Sequence, residues 1–321
     1  MHFFNSSPRF DNVRIETVSL YCSKDITQFV NGIKYVEELA VKHIRYLHLY
    51  INFYDVHNWD EFKKFKTFLD TTSLNIESLD IRIYFRCGPR RFPANFKLKE
   101  IFDGLSRHHN LKKFCLSGKL DGDYSPVVLN AIIALSKLEY VTTVVFDKTL
   151  KLFNEGFWSR AVKNLPTSVE NLTISSAHCL KDHHVYEMME RLPKLRRFAL
   201  HGTKKLTIDG VRHIFSHKLL THLATLRTGA VTKNISELLK DCPTNLKAVM
   251  ACSYKEKFLK AAVKDELNSR YSLMRFSENN EEIANFYEIA TSEQELRTLK
   301  DISRFFYCDH CNMDVLTNQY C

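Results

Sequence analysis

The sequence has few of the residues that interrupt regular structure, with 9 glycines and 7 prolines among 321 residues. No low-complexity tract is present, so we expect no long flexible linker between separate domains. The glycine-rich motifs that bind phosphates and dinucleotides are missing, as is the Gly-x-Ser-x-Gly turn of serine hydrolases. The sequence therefore lacks the signatures of these enzyme classes, and we expect a protein that is not an enzyme.

Long apolar runs, a signal peptide and an even set of cysteines are also missing. No apolar stretch approaches the roughly 18 residues of a membrane span. The first residues, MHFFNSSPRF, lack a basic region followed by an apolar core. The 9 cysteines are an odd number and mostly stand alone, which fits reduced thiols better than a disulfide framework. We therefore expect an intracellular protein, cytoplasmic or nuclear, without a membrane partner.

What the sequence does contain is a recurring three-point pattern of large apolar residues, Leu-x-x-Leu-x-Leu. Residues 165–176, LPTSVENLTISS, show it in a spacing that fits neither a helix nor a strictly alternating strand. Copies recur about every 29 residues, a period typical of long leucine-rich repeats. The copies are Ile15, Val18 and Leu20; Ile44, Leu47 and Leu49; Ile76, Leu79 and Ile81; Leu111, Phe114 and Leu116; Val141, Val144 and Phe146; Val169, Leu172 and Ile174; Leu195, Phe198 and Leu200; a weaker Leu220, Leu223 and Thr225; and Leu246, Val249 and Ala251.

Each interval between copies holds one amphipathic segment that would form a short helix. Examples are SPVVLNAIIALSKL, NEGFWSRAVKNL and DHHVYEMMERL, and several of these segments begin with a residue suited to capping a helix. The predicted unit is strand, turn, helix, turn. Because one such unit cannot bury both of its faces, the units should stack into a solenoid with a parallel sheet inside and helices outside.

This arrangement resembles the leucine-rich repeats of ribonuclease-inhibitor-like and F-box leucine-rich-repeat proteins. The resemblance implies an α/β solenoid, horseshoe or arc, with a concave parallel sheet, convex helices, about nine to ten repeats and a helical cap at the C-terminal end. Two features depart from those families. Only Asn52 plainly supplies the Asn or Cys expected after the last leucine, and about twelve residues precede the first repeat, where an F-box needs about forty.

The predicted organisation has three parts. Residues 1–12 form a lead-in, residues 13–277 form the repeat solenoid, and residues 278–321 form a helical cap or extension with a cysteine-containing tail. A tenth strand is expected at Tyr271, Met274 and Phe276. One or two helices are expected beyond it, from the apolar residues Ile283, Phe286, Ile289 and Leu296. In the eighth copy, Leu223 and Leu226 are an alternative register.

A partner-binding surface is predicted on the concave side of the sheet. Side chains between the apolar positions of each strand face that side, because successive strand residues point in opposite directions. Tyr and Arg are enriched in protein interfaces. An ordinary sheet surface, on which Tyr is common, is the alternative interpretation. The candidate residues are Tyr21, Tyr46, His48, Tyr50, Asp80, Arg82, Lys113, Arg197 and His201.

The charge balance raises a second hypothesis. Lys and Arg total 46 against 37 Asp and Glu, which gives a net charge of +9. Basic clusters near strand ends could form a rim that attracts phosphate backbones or acidic partners, although a solvated face also explains them. The rim residues are Arg86, Arg90, Arg91, Lys204 and Lys205. No module signature of nucleic-acid binding accompanies them.

Metal ligands are sparse. Cys308 and Cys311 have the spacing of half a zinc site, and Cys321 ends the chain, but a second Cys-x-x-Cys pair is missing. His213 and His217 lie one helical turn apart without the Glu of the His-Glu-x-x-His motif. We expect no bound metal or cofactor.

The sequence thus predicts a non-enzymatic scaffold that binds a protein partner on its concave face. Two alternatives remain open: a substrate-recognition subunit of a ubiquitin ligase, and a nucleic-acid binder that uses the basic rim. The identity of the partner is not encoded in the repeat pattern itself.

Overall fold

A computed structural model describes residues 16–22, 31–32, 44–53, 66–72, 75–85, 102–117, 125–147, 154–175, 177–226, 244–253, 273–278, 285–303, 307–308 and 313–314. The described residues contain one large open sheet and a separate two-stranded ribbon. Helices alternate with strands along the middle of the chain. The repeating strand–helix order predicted from the sequence is therefore confirmed.

Nine parallel strands follow one another in sequence order across the sheet. Each pairs in register with the next, so that equivalent residues of successive repeats lie side by side, as Leu172 and Phe198 do. The strands are β1 (Thr17–Cys22), β2 (Tyr46–Phe53), β3 (Ser78–Phe85), β4 (Lys113–Ser117), β5 (Thr143–Asp147), β6 (Asn171–Ile174), β7 (Arg197–His201), β8 (His222–Leu226) and β9 (Ala248–Ser253).

Two of the helices between these strands begin at capping residues that the sequence supplies. The Asn154 side chain accepts a hydrogen bond from the Phe157 amide, and Thr207 accepts one from the Asp209 amide, which satisfies amide groups that have no partner within the helix. A 3-10 helix, Asp103–Arg107, stands between β3 and β4, and residues 66–71 are helical. The α-helices are α1 (Ser125–Leu135), α2 (Glu155–Lys163), α3 (Asp182–Arg191), α4 (Ile208–Phe215) and α5 (Glu293–Ser303).

The three-point pattern forms the core. In the second to seventh copies all three apolar residues are buried, and they share one continuous cluster with apolar residues of α1–α4. In the eighth copy Thr225 is buried and lies between Leu200 and Ala251 in register, which confirms the weaker copy and excludes the alternative based on Leu226. In the first copy Val18 is partly buried against the core, while Ile15 lies outside the described residues.

Polar side chains join successive repeats at the ends of the helices. The His108 ring lies 3.2 Å from the Leu69 carbonyl, and the His217 ring lies 3.0 Å from the Leu192 carbonyl. Arg191 donates to the Leu165 carbonyl in the same way. Each side chain pairs with a carbonyl at the end of the preceding repeat's helical segment, where the last carbonyls lack a donor within the helix. The stack is thus held by directional bonds as well as by apolar contact.

A second set of contacts joins the residues that precede the strands. Nε of Arg45 donates to Oε1 of Glu77 at 2.6 Å, and Nζ of Lys112 donates to Oε2 of the same carboxylate at 3.0 Å. These two hydrogen bonds, first that of Lys112 and then that of Arg45, hold the pKa of Glu77 below its ordinary value. One carboxylate therefore links three successive repeats.

The end of the sheet differs from the prediction. The expected tenth strand exists as β10 (Leu273–Glu278), but it does not continue the parallel series. The strand β11 (Asn285–Ala290) lies between β9 and β10 and is antiparallel to both. The prediction of a helix around Phe286 and Ile289 is wrong, because those residues belong to β11. The helix expected around Leu296 is confirmed as α5.

The remaining described residues near the C-terminus form a ribbon of two short strands, β12 (Tyr307–Cys308) and β13 (Met313–Asp314). Cys311 and Cys321 lie outside the described residues. Among the helices in the described ranges, none has the length and apolar character needed to cross a bilayer.

Candidate binding surface on the sheet

The two faces of the sheet have different roles. Along β2–β7, the residues of the three-point pattern point into the core that they share with α1–α4, so the residues between them point the other way. We call the second side the opposite face. The in-register pairing arranges its residues in three rows that run across the strands. The first row contains Tyr46, Ser78, Lys113, Thr143, Asn171, Arg197 and His222; the second contains His48, Asp80, Cys115, Val145, Thr173, Ala199 and Ala224; the third contains Tyr50, Arg82, Ser117, Asp147, Ser175 and His201.

An exposed group of side chains lies on β2 and β3, at the beginning of the opposite face. Tyr46 is 37% exposed, and the side chains of His48 and Arg82 are 42% and 47% exposed. Tyr50 is half-buried beside them. We call these four residues the Tyr–Arg patch. The structure therefore brings together four of the residues that the sequence predicted as partner-binding.

A buried carboxylate lies beneath the patch. The Asp80 side chain is only 10% exposed, and its Oδ2 atom lies 3.5 Å from Nδ1 of His48 and 3.5 Å from a terminal nitrogen of Arg82. Arg82 is two residues along the same strand, and His48 is directly opposite Asp80 on β2. The carboxylate thus orients two exposed side chains and offsets part of the positive charge that Arg82 brings to the surface.

The opposite face becomes closed in the next two strands. Cys115, Ser117, Val145 and Asp147 are all buried. The Ser175 hydroxyl donates to Oδ1 of Asp147 at 2.7 Å. Burial, and then the neighbouring Asp80 carboxylate, raises the pKa of Cys115 well above its usual value. Its thiol therefore stays protonated, which is the opposite of what a nucleophilic cysteine requires.

Helix α5 lies against β6–β9 on the opposite face. The small residues Ala199 and Ala224 are fully buried in the second row, and they allow a helix to approach the sheet closely. Leu296 of α5 is also buried. Only two residues, Thr291 and Ser292, separate α5 from β11, so the helix folds directly back over the sheet. The chain therefore covers part of its own opposite face.

Glu295 provides the polar anchor of α5. Its Oε2 atom lies 2.8 Å from Nε2 of His222, and its Oε1 atom lies 3.0 Å from Nζ of Lys247. Burial raises the pKa of Glu295, but the Lys247 hydrogen bond and the His222 charge outweigh burial, so the net shift is downward. For His222 the balance is reversed, because burial lowers its pKa by more than Glu295 raises it.

The other predicted site residues occupy different surroundings. Lys113 is half-buried, Arg197 is exposed and His201 is buried. Lys204 and Lys205 are exposed in the turn after β7. Lys113 pairs with Ser78 of β3 and therefore lies next to the Tyr–Arg patch, whereas the structure does not gather Arg197, His201, Lys204 or Lys205 into it. The predicted residues Arg86, Arg90 and Arg91 and the side chain of Tyr21 lie outside the described residues, as does the side chain of Cys308.

Three ligand-type side chains meet elsewhere, on α2 and α3. Glu155, His183 and His184 bring potential ligand atoms within 4.8 Å of one another. However, Nδ1 of His184 accepts a hydrogen bond from the Lys181 amide, so Nε2 carries the ring proton and points at Oγ of Ser159. Lys181 also places its ammonium group 2.5 Å from the Glu155 carboxylate. A protonated ring nitrogen and a competing cation do not suit a metal site.

Nothing in the sequence singles out Asp80 as a buried support or Glu295 as an anchor. The one sequence feature that indicates where α5 packs is the pair of small residues in the second row, Ala199 and Ala224. Comparison with known proteins finds no matching family and no matching curated protein.

Proposed function

We propose that this protein is a non-enzymatic scaffold of the leucine-rich-repeat type that binds a protein partner on the concave face of its repeat array. The observation that carries the proposal is the Tyr–Arg patch. On a face where β4–β9 present mostly buried side chains, β2 and β3 present two tyrosines, a histidine and an arginine to solvent. Tyr and Arg are the residues that most often dominate binding energy in protein interfaces.

The patch is also organised in a way that suits binding. Its strands belong to a continuous parallel sheet, which fixes the spacing of the side chains. Asp80 contacts both His48 and Arg82, so these side chains lose less conformational freedom when a partner binds. A rigid sheet with oriented aromatic and cationic groups is a suitable recognition surface.

Two further contacts support a role without catalysis. The buried Cys115 thiol is kept protonated. The contact between Ser159 and His184 does not form a nucleophile–base pair, because the Nε2 atom that faces Ser159 already carries the ring proton. Neither group has the protonation state that nucleophilic catalysis needs.

The test is affinity purification of the tagged protein from its native cells, followed by identification of the retained proteins. We expect at least one partner to be retained by the wild type and lost when Tyr46 and Tyr50 are both replaced by Ala. Tyr140→Ala is the matched control, because Tyr140 is 59% exposed and lies in the turn before β5, outside the three rows. If the patch variant and the wild type retain the partner equally, the Tyr–Arg patch does not bind that partner.

A further inference from the structure

We propose that the Tyr–Arg patch, together with Lys113, binds an acidic segment of the partner protein. This inference rests on the proposed function and specifies the chemistry of the partner. It starts from the charges that the surface offers to solvent. Arg82 and Lys113 point outward from β3 and β4, whereas the Asp80 carboxylate is buried beneath Arg82 and His48. The two positive charges of Arg82 and Lys113 exceed the one negative charge of Asp80, so the patch together with Lys113 keeps a positive formal charge.

The same face already binds an acidic segment of this chain. Helix α5 begins with Glu293 and Glu295 in its first turn, and the Glu295 carboxylate lies between His222 and Lys247. His222 belongs to the first row of the opposite face, as Lys113 and Tyr46 do. A cationic or imidazole group in this row, combined with a second cation nearby, is thus an arrangement that holds a carboxylate within this molecule.

The spacing of the cations suits an extended segment. Arg82 lies four residues along β3 from Ser78, which pairs with Lys113 on the neighbouring strand. Four residues of strand span about 13 Å and adjacent strands lie about 5 Å apart. A segment of about five extended residues would therefore reach both cations with acidic side chains, and Tyr50, which pairs in register with Arg82, would lie beside one end of its path.

The probe is a fluorescein-labelled synthetic peptide of about twelve residues in which Glu and Ala alternate. Its binding is measured by fluorescence anisotropy at low and moderate salt. A Lys–Ala peptide and a uridine oligonucleotide of the same length are the comparison probes. We expect the acidic peptide to bind, the basic peptide not to bind, and the affinity to fall as salt rises. Arg82→Gln and Lys113→Gln should each weaken binding roughly two- to fivefold, which is the range expected of exposed charge pairs.

Lys204→Gln is the matched control. It removes the same charge from an exposed lysine in the turn after β7, away from the patch. The control variant should bind the acidic peptide as the wild type does. Equal weakening by Lys204→Gln and Arg82→Gln would overturn the inference, because it would show attraction to the net charge alone. Tighter, patch-dependent binding of the uridine oligonucleotide would overturn it in favour of nucleic acid.

Failure of this inference is distinguishable from failure of the proposed function. If the partner retained from cells still depends on Tyr46 and Tyr50, but an excess of the acidic peptide does not displace it, the scaffold function stands and the acidic chemistry is wrong. If the peptide displaces the partner and Arg82→Gln weakens both, the two proposals hold together.

Discussion

Gly210 and Asp182 should show a reversal of sign in a double-mutant cycle. We expect Gly210→Ala to destabilise the wild-type protein and to stabilise a protein that already carries Asp182→Ala. The reason lies in the contact between α4 and the residue that begins α3. A Cβ atom on Gly210 would overlap Oδ1 of Asp182 and would lie 2.5 Å from Cδ1 of Leu206. The Leu206 methyl is the end of a flexible side chain, whereas the Asp182 carboxylate is fixed.

The carboxylate is fixed by hydrogen bonds from Thr207. The amide of Thr207 donates to Oδ1 of Asp182 at 2.8 Å, and its hydroxyl donates to Oδ2 at 2.5 Å. Hydrogen bonds to charged groups contribute about 1.5–3 kcal/mol each, and the exposed setting places these two at the low end, so displacing the carboxylate should cost about 3 kcal/mol. Replacing a helical Gly by Ala returns at most about 1 kcal/mol. The net destabilisation in the wild type is therefore about 2 kcal/mol.

With the Asp182 carboxylate absent, the Leu206 methyl can move into the space it leaves, and the helix preference of Ala should then stabilise the protein by about 0.5–1 kcal/mol. The free energy of unfolding is measured by urea titration with circular dichroism, comparing midpoints at constant slope. Gly104 is the internal control. A Cβ atom there would overlap Oδ1 of Asp70 but would also lie 2.7 Å from the backbone oxygen of Leu69. Asp70→Ala should therefore not rescue Gly104→Ala. Equal effects of Gly210→Ala in both backgrounds would refute the reasoning.

Three further predictions concern the stacked repeats. Because burial lowers the pKa of His108 and of His217, the unfolded chain takes up protons first on acidification, so the free energy of unfolding should fall as the pH drops below about 6.5. His217→Gln should make the urea midpoint depend less on pH. A gain in stability at about pH 5 would contradict this reasoning. Leu172→Ala should cost about 2–5 kcal/mol in urea unfolding, because Leu172 is buried in the core, and a loss under about 1 kcal/mol would show that this position is not packed as described. Glu77→Gln should lower the free energy of unfolding at low salt by up to about 1 kcal/mol for each of its ion pairs, with Arg45 and with Lys112. This loss should be smaller at high salt, and a loss that does not depend on salt would argue against an ionic role.

The stacked strands were predictable because each copy of the pattern places large apolar residues at the same three positions, which must be buried. Val169, Leu172 and Ile174 are buried, and so are Leu195, Phe198 and Leu200 in the neighbouring repeat. The fixed period also allowed the weaker eighth copy to be recognised. Thr225 can occupy a core position because it pairs in register with Leu200 on one side and with Ala251 on the other. The period, rather than any single residue, determined the interpretation.

The segment beyond β9 has no such repetition, and there the prediction failed. Phe286 and Ile289 are spaced like one face of a helix, yet the residues NFYEIA form β11. Short apolar runs do not distinguish a helix from a strand by spacing alone. What decides the outcome is the free edge of β9, which offers unpaired backbone groups to a strand from far along the chain. This tertiary influence is not visible in the local sequence.

The candidate site was predictable only in part, because exposure depends on what covers each strand. The sequence placed Tyr46, Arg82 and His201 on one face, and it gave them equal standing as partner-binding residues. The structure leaves Tyr46 and Arg82 exposed and buries His201, while α5 covers β6–β9 on that face. The small side chains of Ala199 and Ala224 leave space for α5 to pack against the sheet. On β2 the larger side chain of His48 occupies the same row. Differences in side-chain size along the second row therefore distinguish β7 and β8, which α5 covers, from β2, where His48 remains exposed.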